Sequence, residues 1–123
     1  MVRMKLTPVE KFEILLKALH FPEPAREYRF HPTRKWRFDY AWERMAKQYI
    51  VLGSNGFIKR LWSVAVEIEG GEFVKSRHRS PIGYAKDCEK YNHAQRLGWK
   101  VYRFTPSMIT EENMKWLKEE VEG

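Results

Sequence analysis

Cysteine is nearly absent. Cys88 is the single one in 123 residues, so no disulfide framework can form within the chain. A cysteine-based zinc site has no ligand set to draw on, and the thiol content suits a reducing compartment. No apolar run approaches the roughly 20 residues that a membrane-spanning helix needs. The stretch Met1 to Pro8 carries no apolar signal-like core. These absences lead us to expect a cytoplasmic protein with no membrane association. Several catalytic signatures are missing too: no glycine-rich phosphate loop, no Gly-x-Ser-x-Gly elbow and no His-Glu-x-x-His helix. Cys88 and His93 stand five apart and do not share a helix face, which argues against a cysteine nucleophile. His20, His31, His78 and His93 are too scattered to form a metal cluster by spacing. Acid is also in short supply. Sixteen Asp and Glu face 23 Lys and Arg, a net charge of +7. That excess suits a polyanionic partner such as nucleic acid or an acidic membrane surface.

What is present is one domain's worth of chain, residues 1–123, without repeats or low-complexity tracts. Its most informative stretch is Val64-Ala65-Val66-Glu67-Ile68-Glu69-Gly70-Gly71, which reads as a short buried strand ended by two glycines. Side chains alternate along a strand, so Glu67 and Glu69 share a side. Two like charges in a buried setting disfavour joint ionisation. A divalent cation relieves that conflict, and oxygen ligands on a rigid strand suit Mg²⁺ or Mn²⁺.

Thr7-Pro8-Val9-Glu10 predicts a helix start, with a capping box and proline at the first turn. That helix should run to about Leu19, with Glu10 and Glu13 most simply solvated or capping. A first strand is expected over Arg26 to Phe30. In Lys35 to Trp42, Trp36, Phe38, Tyr40 and Trp42 alternate onto one face and leave Asp39 on the other. Residues 43–61 read as an elaborated hairpin or insertion around the Gly53–Gly56 turn signal, with Ile58 to Trp62 leading into the Glu67 strand. A basic loop, Glu72 to Gly83, precedes a helix from Tyr84 to Leu97 that Gly98 stops. Trp99 to Phe104 alternates as a last strand, and Thr110 opens a C-terminal helix. A helix between the Glu67 and Trp99 strands is a crossover, so those two should be parallel and the earlier strands antiparallel. The expected fold is α/β, a mixed central sheet flanked by helices.

The ordered set Glu10, Phe38-Asp39-Tyr40, Glu67-Ile68-Glu69-Gly70-Gly71, His78, Asp87-Cys88-Glu89-Lys90-Tyr91-Asn92 and Gly98-Trp99-Lys100-Val101-Tyr102-Arg103-Phe104 resembles the PD-(D/E)XK nuclease superfamily. The likeness is to the branch of very-short-patch-repair endonucleases and their small bacterial and phage relatives. It spans Glu10 to Phe104. It implies a restriction-endonuclease-like core and a Mg²⁺- or Mn²⁺-dependent endodeoxyribonuclease. Branched (Holliday-junction) or mismatched DNA is then the expected substrate, in host cytoplasm if the protein is phage-encoded. A homodimer is also implied.

On that resemblance Asp39, Glu67 and the Ile68 carbonyl hold the metal. Glu69, His78 and Lys90 complete the catalytic set, and Glu10 lies behind it. Arg34, Arg77, Arg79 and Lys86 are expected on phosphates. The superfamily's usual lysine, two residues after the core glutamate, is Glu69 here. Either Glu69 is a further ligand, or the basic role has moved to Lys90 or His78. Two other readings stay open: a DNA-binding module that kept the fold without the chemistry, and a basic RNA-binding protein whose acids pair with Arg37 and Arg103.

Overall fold

The computed structural model describes residues 5–44, 49–52, 57–70 and 80–123. Helix α1 spans Pro8–Ala18. Its capping box forms as the sequence predicts: the Thr7 hydroxyl accepts from the Glu10 amide, and the Glu10 carboxylate accepts from the Thr7 amide. Strands β1 (Ala25–Arg29) and β2 (Arg37–Trp42) follow. Strands β3 (Tyr49–Leu52) and β4 (Phe57–Arg60) come next, then β5 (Ser63–Ile68), helix α2 (Pro81–Arg96) and β6 (Trp99–Phe104). A short 3₁₀ turn, Pro106–Met108, leads to α3 (Glu111–Glu122), whose Thr110 hydroxyl accepts from the Asn113 amide.

The central sheet has the order β1-β2-β5-β6. β1 and β2 pair antiparallel, as do β2 and β5, while β5 and β6 are parallel with Glu67 opposite Arg103. The α/β class, the antiparallel start and the parallel crossover pair all agree with the sequence expectation. The expected hairpin forms, as β3 and β4 pair antiparallel, but it is a separate two-stranded sheet, and β5 begins afresh at Ser63 instead of continuing from Ile58.

Each sheet face carries its own core. On one, Phe12 and Leu16 of α1 and Met114, Leu117 and Val121 of α3 pack on Tyr40, Val64, Val66 and Phe104. On the other, Ala94 of α2 packs with Phe38, Ala41, Ala65 and Trp99. Arg44 ties α3 to the end of the central strands β2 and β5 by donating to the main-chain carbonyls of Trp62 (2.9 Å) and Val121 (2.9 Å).

The clean alternation expected of β2 breaks. Tyr40 and Trp42 enter the α1/α3 core, but Phe38 joins Ala41 on the α2 side, an odd spacing that a regular strand does not give. The irregularity falls at Asp39. Opposite it, in the register of β1 with β2, Glu27 has φ +48°, in the left-handed region that a glutamate rarely adopts.

Candidate active site at the end of strand β5

One step past the last β2–β5 ladder pair, Tyr40 with Val66, the register brings Asp39 opposite Glu67. Here the ladder changes character. The Ile68 amide donates to the Asp39 carboxylate (2.7 Å) instead of to a main-chain carbonyl. A side chain that replaces a ladder acceptor must turn toward the neighbouring strand, and this draws the Asp39 carboxylate to the end of β5.

Glu67 has a side chain only 13% exposed. Burial pushes its carboxyl above the ordinary value. Lys90 opposes the shift, while the Asp39 and Glu69 charges add to it. The Lys90 ammonium, itself 17% exposed, donates to Glu67. Lys90 reaches there from α2, passing over the rings of Phe38 (5.7 Å to the centroid) and Tyr91 (5.5 Å). The Tyr91 hydroxyl stands 3.5 Å from the same glutamate oxygen.

Glu69 pairs with Arg103 of β6, and the Arg103 guanidinium lies 4.6 Å from the centroid of Tyr91. The shared contact with Tyr91 places Glu67 and Glu69 on the α2 face together, as their two-residue spacing predicts. The structure therefore brings Asp39, Glu67, Glu69, Lys90 and the Ile68 main chain into one patch.

The other expected residues divide. Glu10 is exposed and engaged in its capping box. Arg34 lies at the β1–β2 turn, where it pairs with Glu89 (2.7 Å) and stacks over Trp36. Lys86 is exposed one helical turn before Lys90 and so shares its side of α2. Arg77, His78 and Arg79 lie outside the described residues.

Two groupings escape a reading of the sequence. Glu13 accepts from Arg26 (2.7 and 2.8 Å) and from the Tyr40 hydroxyl (2.6 Å), and the arginine holds its carboxyl down at about 2. His31 and His93 meet with their ring nitrogens 3.3 Å apart. Because the His31 Nδ1 already accepts from the Thr33 and Arg34 amides, its proton sits on Nε2 and points at His93. A proton there, not a lone pair, makes this a hydrogen-bonded pair and not a metal clasp.

Among the described residues, no three His, Cys, Asp or Glu side chains cluster closely enough to hold a metal on their own. Mg²⁺ does not demand three. It is commonly held by one or two carboxylates, with water and substrate phosphate filling the remaining positions. Asp39 and Glu67, both oxygen donors and mutually repelling, fit that need, and the Ile68 carbonyl is the adjacent main-chain donor.

No protein-family model, curated protein or solved structure matches the chain. Among the described residues no helix is long and apolar enough to cross a membrane.

Proposed function

We propose that the protein is a metal-dependent DNA endonuclease with a restriction-endonuclease-like core, acting on branched or mismatched DNA. The observation that carries the reading is the Lys90–Glu67 pair. The sequence offers a glutamate where the nuclease pattern has a lysine, and a lysine from the following helix reaches the core glutamate instead. A cation near two acidic ligands is what phosphodiester hydrolysis requires for the charge that builds on the phosphate.

Asp39, Glu67 and the Ile68 carbonyl would hold Mg²⁺ or Mn²⁺. When bound, such an ion polarises a phosphoryl oxygen and makes water a stronger acid. Lys90 neutralises Glu67 in the free protein and supplies positive charge to the phosphoryl oxygens in the complex. Glu69, anchored by Arg103, would accept a hydrogen bond from the attacking water. Tyr91 contacts the same Glu67 oxygen as Lys90, which leaves the other oxygen to the metal.

Glu67→Gln tests the reading on labelled four-way-junction, mismatched and linear duplex DNA. Products that need Mg²⁺ or Mn²⁺, vanish with EDTA and vanish in the variant are the expected result. The preferred substrate then separates junction resolution from mismatch cleavage.

One observation favours a second reading, a DNA-binding module without catalysis. All three acids already have protein partners: Asp39 the Ile68 amide, Glu67 Lys90 and Glu69 Arg103. A folded wild-type protein that binds these DNAs and cleaves none of them would establish it.

A further inference from the structure

Beyond the acidic patch, β5 runs into a cleft. It is about 850 Å³ in volume, within the size range of sites that hold a ligand group. Glu69 and Gly70 form one wall, so the cleft opens directly beside the candidate active site. Lys5 and Lys11 line another part together with the apolar Leu6 and Pro8, and Thr105 and Ser107, at the corner after β6, line a third. The Thr105 and Ser107 hydroxyls are hydrogen-bonded to each other at 3.2 Å, which leaves one of their two protons to donate to a ligand oxygen.

The charges do not cancel. The one acid among the described residues of the lining, Glu69, is neutralised by Arg103. Lys5 and Lys11 are exposed, and neither makes an ion pair among the described residues. The first turn of α1 adds no anion site, because Thr7 and Glu10 already cap each other there. What remains is two ammonium groups without an ion-pair partner among the described residues, in the same lining as two hydroxyls. That combination recognises a phosphodiester and reads no base.

We infer that this cleft holds the sugar–phosphate backbone of the DNA strand flanking the scissile bond, with Lys5 and Lys11 on its phosphates. The inference rests on the nuclease reading for the identity of the strand. Its test is independent of chemistry, because binding is measured in EDTA.

The experiment compares wild type, Lys5→Gln/Lys11→Gln, and a control of equal charge loss elsewhere, Lys17→Gln/Lys115→Gln. Binding to labelled duplex and four-way-junction DNA is followed by fluorescence anisotropy across a range of salt. The cleft variant should bind about tenfold more weakly or worse at moderate salt. Its salt slope should fall by about 2, near 0.9 for each phosphate that is no longer neutralised. The control should stay close to wild type.

Equal behaviour of the cleft variant and the control overturns the inference, as does absence of DNA binding by the wild type. Preference for RNA over DNA in competition also overturns it. If the wild type never cleaves DNA but the cleft variant loses affinity, the cleft stands and the nuclease reading falls. If the wild type cleaves and the cleft variant binds normally, the opposite holds.

Discussion

The Lys90 ammonium on α2 is hydrogen-bonded to the Glu67 carboxylate on β5, with both side chains mostly withdrawn from water. In the folded chain the pair joins the crossover helix to the strand it follows. The pair also limits how freely Glu67 can serve another cation.

Lys90→Met should therefore do two opposite things. It leaves Glu67 buried beside Asp39 and Glu69 without a counter-charge, at a cost of roughly 2–4 kcal/mol at neutral pH. It also frees Glu67 as a ligand, so Mn²⁺ should bind the variant more tightly than the wild type in the absence of DNA. Urea denaturation reads the first effect, and Mn²⁺ titration followed by electron paramagnetic resonance reads the second. The double variant Glu67→Gln/Lys90→Met should recover most of the stability and bind no Mn²⁺.

Two glutamates should shape the pH dependence of stability with opposite signs. Glu13 is held down to about 2 by Arg26, against an ordinary value of 4.5. Its contribution is therefore full above 4.5 and lost as pH falls through about 2. Glu67 is pushed up by burial, so the fold favours its protonated form. That contribution is full below the ordinary value and lost as pH rises through the raised one. Urea midpoints measured against pH should show Glu13→Gln flattening the acid limb. Glu67→Gln should flatten a decline on the side above 4.5.

Tyr40→Phe should cost about 1–2 kcal/mol, because it removes the hydroxyl that donates to Glu13 and leaves a part-buried carboxylate short of one donor. Arg44→Ala should cost a similar ~1–2 kcal/mol by freeing the Trp62 and Val121 carbonyls. Hydrogen exchange separates the two effects. The first should loosen α1 against β2, and the second should fray the last turn of α3.

Local chemistry is legible in the sequence where the determinant lies within a few residues. Thr7 and Glu10 are three apart and specify their own cap. Gly98 ends α2 because its φ of +89° is open to glycine and costly to others. The Glu67–Glu69 spacing sets a shared face by strand geometry alone. Tertiary competition is not legible. Nothing near Phe38 announces that it packs with Ala41, because the break arises when Asp39 takes up an amide of β5, 29 residues away. The β3–β4 hairpin reads as leading into β5 because pairing with itself and pairing with the sheet leave the same apolar pattern. His31 and His93 meet only because the β1–β2 turn and the end of α2 reach the same side of the sheet. Lys90 is one of two places to which the sequence lets the basic role move, but its contact with Glu67 depends on the crossover geometry.

The most direct measurement is the rate of Mg²⁺-dependent cleavage of labelled four-way-junction and mismatched DNA by wild type and by Lys90→Met, with DNA affinity measured alongside in EDTA. Cleavage by the wild type, and a loss of about 10²–10³ in rate in the variant at unchanged affinity, is the predicted result for an electrostatic group acting at the phosphate. A folded wild-type protein that binds the DNA and yields no product with Mg²⁺ or Mn²⁺, or a Lys90→Met variant that cleaves at the wild-type rate, would contradict the account.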